Sequence, residues 1–219
     1  ACSLQITPSH FIINHLIAGN LELLNSGARD KSLSVTFGTQ ELLPVYADKN
    51  SANLVLRNLL NNALKFTPRH GNITVSVSRR GPDVEIQVAD TGVGIPAEMI
   101  DKIFDQKAFY TTYGTDYEKG SGLGLILARE FLEKNGGTIG VDSVEGQGSR
   151  FWFTLPAGNV DACTPAEQRQ MNHHPGPWLT GKRILLVDDD LFSQKYGRNL
   201  LTTWHTVVDT ASNGEEALM

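Results

Sequence analysis

The stretch Asn58-Leu-Leu-Asn-Asn-Ala-Leu-Lys-Phe-Thr67 has the periodicity of a helix with two unlike faces. At about 100° per residue, Asn58, Asn62 and Lys65 fall within about 60° of one another. Leucine, alanine and phenylalanine side chains occupy much of the other side, which predicts burial against a core. One helix therefore presents two amides and an ammonium group to a common site, and the alternative is a solvated helix face.

Regular patterns on both sides of this helix predict a mixture of helices and strands. Asp48 can cap the helix, and Pro68 ends it because the residue before proline avoids the helical region. Further helices are predicted over Ser9–Leu24, ending near Asn25-Ser-Gly27, and over Leu123–Glu133. Strands are predicted at Ser32–Phe37, Leu42–Tyr46, Asn72–Ser78, Val84–Val88, Thr138–Ser143 and Ser149–Leu155.

A strand ends at the start of Asp90-Thr-Gly-Val-Gly-Ile-Pro96. Gly92 and Gly94 let the backbone turn sharply and approach a planar ligand that a Cβ would obstruct. A carboxylate at Asp90 can accept a hydrogen bond from the exocyclic amine of adenine. Pro96 suits the opening of a short helix. Taken alone, this turn is common and a purely structural role is the simpler interpretation.

A second glycine-rich stretch, Gly120-Ser-Gly-Leu-Gly-Leu125, precedes a predicted helix. It does not follow a strand, and no Gly-Lys-Ser/Thr follows it, which argues against a Rossmann fingerprint and a Walker loop. The pattern fits phosphate bound over a helix N-terminus, with Lys119 and the Ser121 hydroxyl as further donors. In isolation this motif is weak evidence.

Composition restricts the classes of function. The chain has 219 residues, a formal net charge of −5, 40% hydrophobic residues and 20% charged residues, as expected of a globular protein. It contains no lysine- or arginine-rich run, so we expect no nucleic-acid partner. It also contains no export signal and no apolar run of about 18 residues, so we expect no membrane contact.

The composition changes after Pro156, which predicts a division into residues 1–156, a linker at 157–180 and a second unit at 181–219. In that second unit, Arg183-Ile-Leu-Leu-Val187 is the kind of apolar run that fills a buried parallel strand. Acidic residues follow the run immediately, at the end of the predicted strand.

In this order the motifs resemble the sensor histidine kinases, whose catalytic domain has the Bergerat ATP-binding fold. That fold is an α/β two-layer sandwich in which a mixed sheet packs on helices. The resemblance covers about residues 1–156. The ATP-binding domain of that family carries four named sequence motifs, and four stretches of this chain resemble them. They are Asn58-Leu-Leu-Asn-Asn-Ala-Leu-Lys-Phe-Thr67 (the N box), Asp90-Thr-Gly-Val-Gly94 (the G1 box), Lys102-Ile-Phe104 (the start of the F box) and Gly120-Ser-Gly-Leu-Gly124 (the G2 box).

The resemblance implies roles for individual residues. Asn62 would hold Mg²⁺, Asp90 would recognise adenine, and residues 105–121 would form the ATP lid. Ser149 stands where the family often has a threonine that supports the adenine site. The implied ATP-binding residues are Asn58, Asn62, Lys65, Asp90, Gly92, Gly94, Phe104, Lys119, Gly120, Ser121, Gly122, Leu123, Gly124 and Ser149.

The segment Lys182-Arg-Ile-Leu-Leu-Val-Asp-Asp-Asp190 resembles the first strand of a response-regulator receiver domain. Its acid pair would be Asp188 and Asp189, which could bind Mg²⁺. The alternative use of Asp189 or Asp190 is to cap the next helix. The family's phosphoacceptor aspartate would lie beyond Met219. We therefore expect a truncated doubly wound α/β fragment that is poorly anchored.

The expected activity is binding of Mg–ATP and transfer of the γ-phosphoryl group to a histidine. That histidine would lie on a separate dimerisation domain of the same longer protein, a homodimer at full length. The resemblance implies the cytoplasmic part of a membrane-anchored sensor, with no residue acting as acid or base in this chain. Two alternatives remain: a Bergerat-type ATPase, which needs a catalytic glutamate where Asn58 stands, and a non-catalytic ATP-binding signalling module.

Overall fold

The computed structural model describes residues 6–38, 41–105, 115, 123–164, 181–188, 194, 197–198, 201–202 and 206–218. Contacts divide the chain into two compact units, residues 1–164 and residues 165–219. Among the residues that the structure describes, none of the helices combines the length and the apolar character that crossing a bilayer requires.

The first unit alternates helices with short strands. In chain order it contains β1 (Ser9–Ile12), α1 (Ile13–Asp30), β2 (Ser34–Gly38), β3 (Pro44–Ala47), α2 (Lys49–Phe66), β4 (Asn72–Arg80), β5 (Asp83–Asp90), α3 (Ala97–Ile100), α4 (Gly124–Lys134), β6 (Ile139–Val144) and β7 (Gly148–Pro156). A single 3₁₀ turn, Val160–Ala162, follows β7.

The main sheet has five strands in the order β2-β4-β5-β7-β6. β2 runs parallel to β4, and the other neighbouring pairs are antiparallel. α2 and α4 pack on this sheet, and α1 packs on α2. Alternate residues of the central strands form the core, namely Ile73, Val75, Val77, Val84, Ile86, Val88, Phe151, Phe153 and Leu155. The predicted mixed sheet packed on helices is confirmed.

The helix that carries the asparagines begins and ends where the sequence predicts. The carboxylate of Asp48 accepts a hydrogen bond from the backbone N–H of Ser51 over 2.7 Å, which caps the N-terminus of α2. At the other end the Thr67 hydroxyl donates to the carbonyl of Ala63 over 2.5 Å. Pro68 follows, and the chain leaves the helix.

The prediction of one helix over Ser9–Leu24 is wrong at both ends. Ser9–Ile12 forms β1, which pairs antiparallel with β3, because Phe11 and Ile12 are fully buried as strand residues. The helix α1 continues through Asn25-Ser-Gly27 to Asp30. Gly27 allows two helices to approach, since a Cβ there would lie 2.8 Å from Leu64 Cδ2. A glycine that serves contact between helices has the same sequence pattern as a helix stop, so the predicted helix ends too early.

Ala157 and Gly158, the two residues after Pro156, pack on β3 of the first unit. Ala157 forms an isolated bridge with Val45, and the Gly158 N–H donates to the carbonyl of Pro44 over 2.8 Å. The contact boundary after Thr164 therefore falls later than the predicted linker start at 157.

The described part of the second unit contains a parallel strand pair, β8 (Arg183–Val187) and β9 (Val207–Ala211). Gln194 Nε2 donates to the carbonyls of Asp188 and Ala211. Leu185 and Val187 are 49% and 45% exposed, so the expectation of a fully buried strand at 183–187 is wrong. One side of this pair faces solvent in the structure.

Candidate nucleotide-binding site

Asp90 and Ser149 lie side by side at one end of the main sheet. Asp90 is the last residue of β5, and its register partners are Ile73 on β4 and Ser149 on β7. Ser149 pairs in turn with Ser143 on β6. Because side chains alternate between the two faces of a strand, all four point to the helix-covered side, where Val88 and Phe151 are buried. These residues continue the row of buried side chains that includes Val88 and Phe151, which we call the core row. The core row therefore ends in the carboxylate of Asp90 and the hydroxyls of Ser149 and Ser143.

The Asp90 carboxylate is held by backbone donors. The Gly92 N–H donates to Asp90 Oδ1 over 2.8 Å. Burial raises the pKa of Asp90 above its ordinary value, and the backbone N–H groups of Gly92 and Ser149 oppose that rise without cancelling it. These backbone hydrogen bonds fix the orientation of the partly buried carboxylate, which can accept further hydrogen bonds from a ligand.

Both glycines after Asp90 are required by close packing. A Cβ on Gly92 would lie 2.5 Å from the carbonyl oxygen of Phe66, at the end of α2. Gly94 has a φ of +68°, and a Cβ there would overlap the carbonyl oxygen of Val144. The Val93 N–H donates to the Phe66 carbonyl over 3.2 Å. The loop at 91–96 is therefore fixed between the C-terminus of α2 and the β6–β7 turn.

The α2 residues predicted for the site share a face, as their spacing requires. Asn58 Nδ2 donates to the carbonyl of Gly124 over 3.2 Å, which joins α2 to the first residue of α4. Asn62 lies one turn further along and is half-buried. The Lys65 ammonium lies 4.8 Å from the centre of the Phe66 ring. In this structure Lys65 packs against its neighbour, and its contact with phosphate stays a prediction.

The glycine-rich stretch before α4 is described only at its end. Leu123 occupies the N-cap position of α4 and has no side-chain oxygen to accept from the first N–H groups. Phe104 is half-buried in the turn after α3. The predicted contributions of Lys119, Gly120, Ser121 and Gly122 lie outside the described residues, as does the expected lid except for Asp105 and Thr115.

Two residues with site contacts were missed by the sequence reasoning. Lys31 is 5% exposed, and its ammonium donates to the carbonyls of Leu64 and Lys65 and to Thr115 Oγ1 over 3.1, 3.2 and 2.8 Å. Ser143 stands beside Ser149 with 3.0 Å between their hydroxyl oxygens. Strand alternation at Ile139, Val141 and Ser143 was a signal that could have found the second residue.

The acidic pair predicted in the second unit is described in part. Asp188 follows β8, is half-buried, and donates its N–H to the carbonyl of Ala211 over 3.1 Å. Asp189 lies outside the described residues. Within the described ranges, no three His, Cys, Asp or Glu side chains gather in a group that could hold a metal ion.

Comparison with known proteins shows the family to which the chain belongs. Residues 47–159 match the family profile of the histidine kinase-, DNA gyrase B- and HSP90-like ATPases. The matched range covers α2, the loop at 91–96, α4 and the last two strands of the main sheet.

Curated relatives include two bacterial sensor kinases. The adaptive-response sensory kinase SasA of Gloeothece citriformis is 39% identical over 155 residues, which are 70% of this chain and 39% of that protein. The sensor histidine kinase ZraS of Escherichia coli K12 is 37% identical over 157 residues, 69% of this chain and 32% of that protein. The chain thus spans about a third of the length of these relatives.

Among solved structures, the nucleotide-free catalytic domain of histidine kinase ThkA superposes with a TM-score of 0.61 at 29% identity. The match covers 73% of this chain and 100% of that domain. The chain belongs to the histidine kinase-, DNA gyrase B- and HSP90-like ATPase family. Within it, the relatives identify the ATP-binding catalytic domain of a two-component histidine kinase, so the predicted resemblance is confirmed at this level.

Proposed function

We propose that the chain binds Mg–ATP where α2, the loop at 91–96 and the start of α4 meet. We further propose that it donates the γ-phosphoryl group to a histidine on a separate dimerisation domain. The observation that carries the proposal is the position of Asp90. This carboxylate, fixed by the Gly92 N–H, shares one face of the sheet with Ser149, and its loop is bonded to the C-terminus of α2.

The purine end of this site has the chemistry that adenine requires. An ionised Asp90 accepts hydrogen bonds, and the 6-amino group of adenine donates them. Gly92 leaves the backbone close to Phe66, where any side chain would fill the space. These residues fit a flat base that carries an amino group.

The phosphate end of the proposed site is the N-terminus of α4. The first N–H groups of a helix have no partner within the helix, and Leu123 cannot supply one. Phosphate oxygens are suitable acceptors for such groups. Asn58 holds Gly124 and so fixes this end of α4 against α2. Lys119, Gly120, Ser121 and Gly122 are proposed to complete the phosphate contacts.

The metal site we propose uses Asn62. Mg²⁺ keeps most of its water and phosphate ligands, so one carboxamide oxygen from the protein is sufficient. Asn62 lies on the same face of α2 as Asn58 and is partly exposed, which leaves its amide accessible to a bound triphosphate. When bound, Mg²⁺ would supply neutralisation of phosphate charge. The residues of this chain would position the nucleotide, and no acid or base is required of them.

The partners we propose lie on the longer protein. A dimerisation domain would carry the phosphoacceptor histidine, and the full-length protein would form a homodimer in the cytoplasm. Residues 181–219 would be the start of a receiver domain, with Asp188 and Asp189 as its acid pair and a possible Mg²⁺ site. The parallel pairing of β8 with β9 supports this assignment, since receiver domains are built on parallel strands.

A phosphotransfer experiment tests the kinase proposal. The chain is mixed with the proposed histidine-bearing dimerisation domain of the longer protein and with ATP labelled at the γ-phosphate. Acid-labile, base-stable label on the dimerisation domain is the expected result. Release of free phosphate alone would instead indicate an ATPase, and nucleotide binding without either product would indicate a signalling module.

Binding measurements test the site itself. Titration of the chain with a non-hydrolysable Mg–ATP analogue should give binding that Asn62→Asp and Gly122→Ala both weaken. The first change disturbs the metal ligand, and the second obstructs the backbone approach to phosphate. Unchanged affinity in both variants would contradict the site assignment.

A further inference from the structure

Ser143 makes three hydrogen-bond contacts at the end of the core row. The Ile95 N–H donates to Ser143 Oγ over 2.9 Å. Ser143 Oγ donates to the carbonyl of Gly148 over 2.9 Å. Ser143 Oγ also lies 3.0 Å from Ser149 Oγ, where either hydroxyl could be the donor on distance alone.

Counting hydrogens assigns the donor in the last contact. A serine hydroxyl has one hydrogen and two lone pairs. The carbonyl of Gly148 can only accept, so it takes the Ser143 hydrogen. The Ile95 N–H takes one lone pair, and the other lone pair is left for Ser149. All three contacts are satisfied together only when the Ser149 hydroxyl donates to Ser143.

This assignment determines what Ser149 offers to a ligand. Its only hydrogen is directed along the sheet at Ser143, so Ser149 Oγ has lone pairs alone for any other partner. Ser149 is also the register partner of Asp90, which places their Cβ atoms about 4.5–5.5 Å apart on one face. Two acceptors therefore stand side by side at the purine end of the site.

We propose that Ser143 is a positioning residue that sets the base preference of this site by fixing the direction of the Ser149 hydroxyl. The inference rests on the proposed ATP-binding function and adds a residue that touches no nucleotide itself. Two adjacent acceptors match the two N–H groups of a 6-amino purine. They repel the 6-oxo oxygen of hypoxanthine or guanine, which cannot donate.

A purely structural role for Ser143 has a different signature. Because Ser143 also receives the Ile95 N–H, its removal loosens the loop at 91–96. That change weakens every purine nucleotide alike and leaves their affinity ratio untouched. The ratio therefore reports the direction of the Ser149 hydroxyl separately from the rigidity of the loop.

The test is calorimetric titration of the whole chain with Mg–ATP and with Mg–inosine triphosphate, which carries 6-oxo in place of 6-amino. The wild-type chain is expected to bind ATP about tenfold or more tightly than inosine triphosphate, because the 6-oxo nucleotide loses one or two hydrogen bonds in the site.

Ser143→Ala is expected to reduce this affinity ratio about tenfold, since Ser149 can then turn its O–H to the 6-oxo group. Ser143→Thr keeps a hydroxyl at this position and should keep the preference for ATP. Ser78→Ala, an exposed serine on β4, is the matched control and should keep the wild-type ratio.

A double variant separates the two serines. If Ser143 acts through Ser149, adding Ser143→Ala to Ser149→Ala leaves the ratio of Ser149→Ala unchanged. An unaltered ratio in a folded Ser143→Ala chain that still binds ATP overturns the inference but leaves the proposed function intact. If Ser143→Ala fails to fold, Ser149→Ala alone decides, and a wild-type ratio there overturns the inference. Failure of the wild-type chain to bind ATP overturns the proposed function as well.

Discussion

The Gly92 backbone N–H donates to Asp90 Oδ1 over 2.8 Å, so the loop that follows β5 folds back on the carboxylate that ends it. This bond favours the ionised form of Asp90, yet burial raises the pKa of the group overall. In the folded, nucleotide-free protein the ionised form of Asp90 is therefore less favourable, relative to the protonated form, than it is in water. Groups with a perturbed pKa cluster at functional sites, so the shift makes Asp90 a candidate to be tested for binding.

Replacing Asp90 by asparagine should separate stability from binding. The amide keeps an oxygen for the Gly92 N–H and removes a charge that burial disfavours, so Asp90→Asn should unfold at the wild-type temperature or above it at pH 7. Its affinity for a Mg–ATP analogue should fall about 10- to 100-fold, because the amine of adenine loses a charged acceptor. Thermal unfolding and calorimetric titration measure the two effects. Asp83→Asn, at the other end of β5, is the control and should retain binding.

The raised pKa of Asp90 also predicts a dependence of stability on pH. A carboxyl whose folded pKa lies above its unfolded value of about 3.8 contributes stability in full below that value. The contribution is lost as the pH rises through the folded pKa. Urea unfolding of wild type and Asp90→Asn between pH 4 and 7 should therefore show the wild type gaining relative stability towards acid. A difference that grows in the opposite direction would show that the hydrogen bonds outweigh burial.

Gly92→Ala should damage both the fold and the site. Its Cβ would lie 2.5 Å from Asp90 Oδ1 and 2.5 Å from the Phe66 carbonyl, so loop and helix must separate. We expect a loss of roughly 1–3 kcal/mol in the free energy of unfolding, as for other overpacked positions, together with loss of nucleotide binding. Denaturant titration and analogue binding measure these changes.

Gly19→Ala is the matched control for that substitution. Gly19 lies in α1 with no atom within 4 Å of a Cβ placed there, so alanine meets no obstacle. Alanine also favours the helix, and stability should rise by about 0.5–1 kcal/mol with binding unchanged. Equal losses in both variants would mean that close packing at Gly92 is not the cause.

The sequence predicted the elements whose signals are local. Asp48 before α2 and Pro68 after it act within a few residues, and both helix ends were found. Gly27 was misinterpreted because its reason is a contact with Leu64 on another helix, which periodicity does not contain. Ser143 was missed for a similar reason, since its partner Ser149 is defined by strand register.

The candidate site also contains some residues that local sequence patterns reveal and others that only the fold reveals. Glycines and Asp90 stand next to each other in sequence, and their motif could be recognised there. The joining of α2 to α4 through Asn58 and Gly124 spans distant parts of the chain and required the fold. Lys31 lies in no recognisable sequence motif. Its hydrogen bond to the C-terminus of α2 is visible only in the structure, where the side chain is buried against that helix.

Lys31→Met should destabilise the C-terminus of α2. The carbonyl of Leu64 would normally accept from residue 68, but Pro68 has no N–H, and the Lys31 ammonium takes that place over 3.1 Å. Methionine fills similar volume without a donor, so a carbonyl is left without this bond at a cost of roughly 1–3 kcal/mol. Urea unfolding should show that loss, and the Thr67 amide, bonded to Ala63, should exchange hydrogen faster. Lys134→Met on the exposed end of α4 should change stability by less than about 0.5 kcal/mol. If both variants are equally stable, Lys31 does not replace the missing donor of Pro68.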